Sequence, residues 1–534
     1  MKQAAYFIFL FLFFIVPEAG RSLELDFSDG SPEGLTTKAR GALEAKEYEA
    51  ALAYADKCIT SFFQKAVEQQ SSLSDFAPQD EASSYWALNA VGICYFIKGK
   101  AYRGMNDNKK AISSFQQVIE LFPHAQCWDD AGEYFWKVAD AAKDQILGIH
   151  KGVDFGDYKS ETLTGRAWKS YLLKKYDQAI IYADKCLEIY MDQALEQQGS
   201  LKAFASKQKV FDYWALNDVA TSAFIKAKTL FIQNKKDEAL KIFRMIVRDL
   251  TYAQCWNPDG YFWKVADAAQ DEIIKIEKNV DFGNYSSLDL TTKAWAALEK
   301  KEYDIVDIYT KKCIELYEKE AREQESRLED FPKDEEASLY WALNDVAACY
   351  FIRAKALALQ KKTAEATSTY RKIIKTFPHA QCYDMNGWFW KVAKASEDEI
   401  LIQEKGISFG DYKSSTLTGK AWEAFEKRSY DICLIYIKKC IELYEKEACR
   451  QQSSLNSYPQ GEAAHQYWAL NDVAVCYFIM GQVYAKQKKW REAKDAFNKV
   501  IEDLYFAQSW DTAGFFWKVS VAARKELSRI SSKR

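Results

Sequence analysis

In YWALNDVAVCYFIMGQVYAKQ, residues 467–487, apolar side chains fall at helical spacing, and after a short lysine-rich break the pattern resumes in KKWREAKDAFNKVIEDL. This predicts two helices packed face to face. The same alternation predicts an earlier pair of helices, and a further single helix around FWKVADAAKDQIL, residues 135–147. Between the pairs, QKAVEQQSSLSDFAPQDEASSYW stays polar and helical up to a turn near Ala77 and Pro78. That stretch reads as two ordinary helices made longer, meeting at the turn.

The pattern is written four times. LDFSDG at 25, VDFGDY at 153, VDFGNY at 280 and ISFGDY at 407 each open a copy, 127 or 128 residues apart. SYWALNA, DYWALND, LYWALND and QYWALND place Trp86, Trp214, Trp341 and Trp468 in register, and a Phe-Trp-Lys-Val run closes each copy. The division is a leader at 1–22 and units at 23–152, 153–279, 280–406 and 407–534. Five helices is an odd number, so the chain must cross back before the next copy begins. The 10 to 14 residues around HKGVDFGDYKSETL are long enough for a strap across a helix, at about 3.3 Å per extended residue.

Within each copy the second pair resembles the tetratricopeptide (TPR) repeat, a helix-turn-helix unit of about 34 residues. The resemblance lies in Gly99, Tyr102, Ala111, Phe115 and Pro123, and again in Gly481, Tyr484, Ala493 and Phe497, where Tyr505 takes the place of proline. Ala227 with Ala239 and Phe243, and Ala354 with Ala366 and Tyr370, follow the pattern with alanine for glycine. A looser pair opens each copy, with Ala39, Ala167, Ala294 and Ala421 at its small position. The resemblance implies an all-α fold, a right-handed α-solenoid of helical hairpins in four copies of about five helices. Small residues let one helix lie against the next, and the aromatic fills the remaining gap.

The 534 residues, 48% of them hydrophobic with only 8 prolines, suit packed helices rather than disorder. A net charge of -3 gives no basic field for nucleic acid or anionic lipid. The apolar run from Ala4 to Val16 after Lys2 is too short to span a bilayer and reads as an export signal, cut between Ala19 and Ser22. The mature chain is then expected outside the cytoplasm, periplasmic or secreted, with no membrane span.

PHAQCWDDAGEYFWKVADAA, residues 123–142, has the residues of a Cys/His site, but the copies argue otherwise. His124 becomes Tyr252, His379 and Phe506, and Cys127 becomes Cys255, Cys382 and Ser509. A base or zinc ligand cannot be exchanged for Tyr or Phe, whereas a ring that fills a gap can. Gly132, Gly260, Gly387 and Gly514 are read as releasing the chain into the following helix. Cys58, Cys186, Cys313 and Cys440 fall at small buried positions, and the twelve cysteines are expected to be mainly unpaired thiols. The recurrent tryptophans are read as core, and Lys137, Lys264, Lys391 and Lys518 as the wet side of the last helix.

No phosphate-cradling loop, nucleophile elbow, HExxH or CxxC appears, and no segment is left over for a catalytic domain, so no cofactor, no metal and no enzymatic activity are expected. Two rows remain as candidate contacts. Lys38, Arg166, Lys293 and Lys420 occupy the first turn of a helix, where the dipole disfavours a cation. They either bind carboxylates of a partner or pair with a carboxylate of the preceding strap, such as Asp157 or Asp411. Asn89, Asn217, Asn344 and Asn471 interrupt an apolar helix. Each either satisfies a buried backbone group or holds a partner's backbone. The TPR resemblance implies a scaffold that binds proteins or peptides, by family analogy in cell-envelope or outer-membrane assembly. The alternative is a receptor for a small ligand or glycan, with tryptophans as stacking platforms.

Overall fold

The computed structural model describes residues 25–129, 134–257, 260–384, 388–511 and 514–531. The export signal, Gly132 and Gly387 lie outside them. The chain divides into two compact units, 1–279 and 280–534.

Unit 1 holds copies 1 and 2. Copy 1 is helices Pro32–Glu44, Tyr48–Ser71, Trp86–Gly104, Asn108–Leu121 and Val138–Lys151. Copy 2 repeats them as Ser160–Leu172, Tyr176–Ser200, Trp214–Ile232, Lys236–Asp249 and Val265–Lys278. In unit 2, copy 3 is Ser287–Glu299, Tyr303–Glu325, Trp341–Leu359, Thr363–Thr376 and Val392–Lys405. Copy 4 is Ser414–Glu426, Tyr430–Ser453, Trp468–Lys486, Trp490–Glu502 and Val519–Ser531. Within each copy consecutive helices pack against one another, and the fold is all-α with TPR-type pairs.

The TPR positions do what close approach demands. Gly99 lies so near the Phe115 ring that a Cβ there would be 2.4 Å from it, and at Gly481 the distance to Phe497 would be 2.5 Å. Copies 2 and 3 accept Ala227 and Ala354 at that place, both fully buried.

Two expectations are corrected. First, the second and third helices are both longer than the 13- and 14-residue helices around them, but they do not meet at the turn. The second runs 24 residues in copy 1, then residues 72–81 form a loop, a 3₁₀ turn covers Ala82–Tyr85, and the third helix starts at Trp86. Second, the Phe-Trp-Lys run is not helical. Gln126–Asp129 pairs with Tyr134–Lys137 as an antiparallel β-hairpin, Trp136 opposite Cys127. The other copies repeat it, pairing Gln254–Asn257 with Tyr261–Lys264, Gln381–Asp384 with Trp388–Lys391, and Gln508–Asp511 with Phe515–Lys518. The fifth helix therefore begins at the valine. Gly260 and Gly514, at φ of +95° and +92°, shape the hairpin turn instead of releasing a helix.

The strap is present. In copy 2 Gln178 Nε2 donates to the carbonyls of Lys151 and Gly152 at 2.8 and 3.3 Å, and the Tyr190 hydroxyl donates to the carbonyl of Tyr158 at 3.1 Å. Residues 178 and 190 are twelve apart on one helix, about 18 Å by its rise. The strap thus carries the chain back along the second helix to where the first helix starts. Phe155 anchors it in the core, stacked on Tyr158 with ring centroids 5.7 Å apart. Phe282 and Phe409 repeat the anchor in unit 2.

Candidate binding clefts

Each copy holds its hairpin against the third helix through one asparagine. Asn217 Nδ2 donates to the carbonyl of Val210 at 2.9 Å, and its Oδ1 accepts from the backbone N–H of Gln254 at 2.8 Å. Asn89, Asn344 and Asn471 make the same two bonds, joining the segment just before the third helix to the first strand. Both ends of each amide are thereby engaged within the chain. A glutamine on the second helix completes the joint by accepting from the N–H of Leu88, Leu216, Leu343 or Leu470.

Fixed in this way, the hairpin faces the start of the third helix across a cleft. In copy 2 it encloses about 620 Å³, and its walls include Tyr190, Phe211, Trp214, Trp256 and Phe262. Trp256 meets Phe262 edge to face at 4.9 Å, and Trp214 meets Tyr190 at 5.5 Å. These rings are not core, contrary to the reading from sequence. Trp86, Trp214, Trp341 and Trp468 are 38 to 45% exposed, and Trp128, Trp256, Tyr383 and Trp510 are 42 to 64% exposed. The closing tryptophans do pack inward, Trp263 on Phe224 at 5.4 Å and Trp390 on Phe351 at 5.1 Å. A larger cavity in copy 3, about 790 Å³ around Asp307 and Arg353, is lined by charges that pair with one another, as Arg353 does with Asp307 at 3.1 Å.

The cleft of copy 2 also contains a carboxylate. Asp218 accepts from the Ser160 hydroxyl at 2.5 Å, and burial pushes its acid up to about 6. Ser287 with Asp345 and Ser414 with Asp472 repeat the pair at 2.5 Å, again with the acid raised by burial. None of the three aspartates forms an ion pair among the described residues. An acid raised in the fold favours its protonated form there, so its contribution to stability is present below the unfolded value near 3.9 and is lost as pH rises through about 6. Near neutral pH these side chains cost stability. A carboxylate held at that cost beside a cleft is a candidate for a binding contact.

The cation row lies elsewhere, at the seventh residue of each first helix and so in its second turn, not the first turn expected from sequence. Lys38 pairs with Asp26 at 2.8 Å, Arg166 with Asp154 at 2.9 Å and Lys293 with Asp281 at 3.4 Å. These strap aspartates stand three residues before the position of Asp157 and Asp411. The Asp157 carboxylate instead accepts from the N–H of Lys159 at 3.2 Å, just ahead of the first helix. In copy 4 Ser408 replaces the strap aspartate, and the Lys420 ammonium lies 5.8 Å from the Tyr436 ring centre.

His124, Tyr252, His379 and Phe506 meet the rings of Phe76, Phe204, Phe331 and Tyr458 at 5.4 or 5.5 Å, so the histidine position carries a packing ring. Those same four partner rings receive Lys137, Lys264, Lys391 and Lys518 at 3.9 to 4.4 Å. The lysines end the second strand rather than wetting the last helix, and they fasten the loop by cation–π contact. All twelve cysteines are free thiols, nine of them buried. Burial pushes Cys433 up to about 12. Thr291 lies 3.2 Å from Cys349, and in copy 2 Thr164 makes the same approach to Ser222 at 2.8 Å, so serine replaces the thiol without losing the contact. Among the described residues no cluster of potential metal ligands occurs, and no helix is long and apolar enough to cross a membrane.

Comparison with repeat-family models agrees with the helix pairs. Family models described as tetratricopeptide repeat match residues 94–124, 348–380 and 476–504, the third and fourth helices of copies 1, 3 and 4. No curated protein matches. Among solved structures, the chain is similar to yeast Tom70, with 11% identity, 93% of this chain and 95% of that chain covered, and a TM-score of 0.15. It is similar to an APC/C Cut9–Hcn1 hetero-tetramer, with 13% identity, 94% of each chain and a TM-score of 0.13. It is also similar to a circular tandem repeat protein of novel repeat topology, with 11% identity, 94% and 93% covered, and a TM-score of 0.15. Superpositions this loose carry no functional information.

Proposed function

We propose that this chain, a tetratricopeptide-repeat protein, is a non-enzymatic scaffold that binds other proteins or peptides through the clefts between hairpin and third helix. The observation that carries the reading is the same pair of exposed aromatic walls in every copy. Large apolar side chains left in the open at a repeated position mark an interaction surface, and aromatic anchors dominate binding energy. Repeat proteins multiply such a unit along one surface. We place the scaffold outside the cytoplasm on the strength of the apolar run from Ala4 to Val16, and in the assembly of a cell envelope only by analogy with the repeat family.

Two variant sets of the full chain separate this surface from the cation row. Trp86, Trp214, Trp341 and Trp468 changed together to alanine should lower crosslinked partner recovery about tenfold or more. Lys38, Arg166, Lys293 and Lys420 changed together to alanine should leave recovery within about twofold and lower the melting temperature slightly, because exposed ion pairs contribute about 0 to 1 kcal/mol each. The opposite result would assign binding to the cations and leave the clefts structural.

A further inference from the structure

We propose that the cleft of copy 2 is a cage for the cationic side chain of a lysine or arginine carried by a partner polypeptide, with counterparts in copies 3 and 4 and none in copy 1. The inference rests on the reading of the clefts as binding surfaces and names what they take.

The chemistry of the walls selects the ligand. Tyr190, Phe211, Trp214, Trp256 and Phe262 present ring faces and edges around one volume. A ring face attracts an organic cation within about 6 Å of its centre, and the attraction grows when water is excluded. Asp218 and Glu161 add carboxylates to the same lining. The one cation there, Lys159, has its ammonium 3.5 Å from the Asp157 carboxylate. Asp218 is held by a neutral hydroxyl, so burial is not offset by an opposing charge within the chain, and a cation arriving in the cleft would supply one. A bare metal ion would call for several converging ligands, and the described residues offer no such cluster. An ammonium or guanidinium needs only the rings and one carboxylate.

The copies give an internal comparison. Copy 1 keeps Trp86 and Trp128 but has Pro32 where the others have serine and Ala90 where they have aspartate. Serine and acid are lost together, as expected if the hydroxyl serves to hold the acid. Copies 3 and 4 keep both, with Trp341 and Tyr383, and with Trp468 and Trp510. The position of Phe211 is Ser338 in copy 3, which lacks that ring, and His465 in copy 4, whose ring meets Phe516 at 4.9 Å.

The test is fluorescence anisotropy of the full chain with a labelled glycine-serine peptide carrying three spaced arginines, beside the same peptide with norleucine or glutamate in their place. Arginine is expected to bind at least tenfold more tightly than norleucine, and glutamate more weakly still. Asp218→Asn, Asp345→Asn and Asp472→Asn together should cost about tenfold. The triple change Glu44→Gln, Glu299→Gln and Glu426→Gln, which removes the same charge from exposed sites, should cost less than twofold. Equal binding of arginine and norleucine by the unaltered chain would overturn the proposal whatever the variants do. So would a folded triple asparagine variant that binds within twofold. If the tryptophan set still loses its partner while arginine shows no advantage, the cage fails and the binding surface stands. If neither effect appears, both fail.

Discussion

Replacing Phe282 by alanine is expected to destabilise unit 2 by about 3 to 5 kcal/mol, the ordinary range for deleting a buried phenyl ring. Phe282 is fully buried, stacks on Tyr285 at 5.5 Å and meets Tyr309 edge to face at 6.0 Å. Its strap residues are constrained on both sides. Gly283 has a φ of +59°, Tyr285 holds +63°, and the carbonyl of Tyr285 accepts from the Tyr317 hydroxyl at 2.9 Å. The ring fixes a segment whose backbone has little local preference for its path. With the ring gone, the strap and the start of the helix Ser287–Glu299 lose their common anchor. At about 2 to 4 °C per kcal/mol for a body of this size, the melting transition of unit 2 should fall by about 10 °C. Phe282→Leu should recover most of the loss. A fall under 3 °C in calorimetry would show that the strap is not an anchor.

Asn344→Leu is the second large effect, about 2 to 4 kcal/mol, and it should appear first in the hairpin. The side chain is 8% exposed and ties the Ala337 carbonyl at 2.8 Å to the Gln381 N–H at 2.9 Å. Leucine removes both partners at once, and each buried group left unmet costs about 1 to 3 kcal/mol. Amide exchange at Gln381 and along Trp388–Lys391 should speed up by tenfold or more, while the helix Thr363–Thr376 keeps its protection. Equal loss of protection throughout unit 2 would mean the asparagine supports the core in general and not the joint. Because the joint positions Tyr383, the same variant should weaken partner binding at that copy.

The helical hairpins were legible because small and aromatic residues recur at the spacing that close helix packing requires. Gly99 over Phe115 could be anticipated from that spacing alone. The β-hairpins were not, since Phe-Trp-Lys runs directly into Val-Ala-Asp-Ala-Ala and the apolar period gives no sign of the change. The signal that could have found them is the glycine between two aromatic-rich tetrads, which was read as a helix release. Exposure of Trp214 was hidden for a related reason. A tryptophan beside an apolar run reads as core, yet here it is the first residue of its helix, following a 3₁₀ turn, and it faces the cleft. The strap pairing of the cations was visible in kind but shifted by three residues, because Asp157 turns to the start of its own helix while Asp154 meets Arg166. The serine–aspartate pairs went unread, since 58 residues separate Ser160 from Asp218 and only the fold brings them together.

The central claim is that partners bind at the clefts. A photoreactive benzoylphenylalanine placed singly at Trp256 or Tyr383 in the full chain tests it directly, against the same group at Lys241 or Arg491, exposed on the fourth helices of copies 2 and 4. Irradiation in the native cell should give discrete crosslinked partners from 256 and 383 and none from 241 or 491. Crosslinks confined to 241 and 491 would contradict the account.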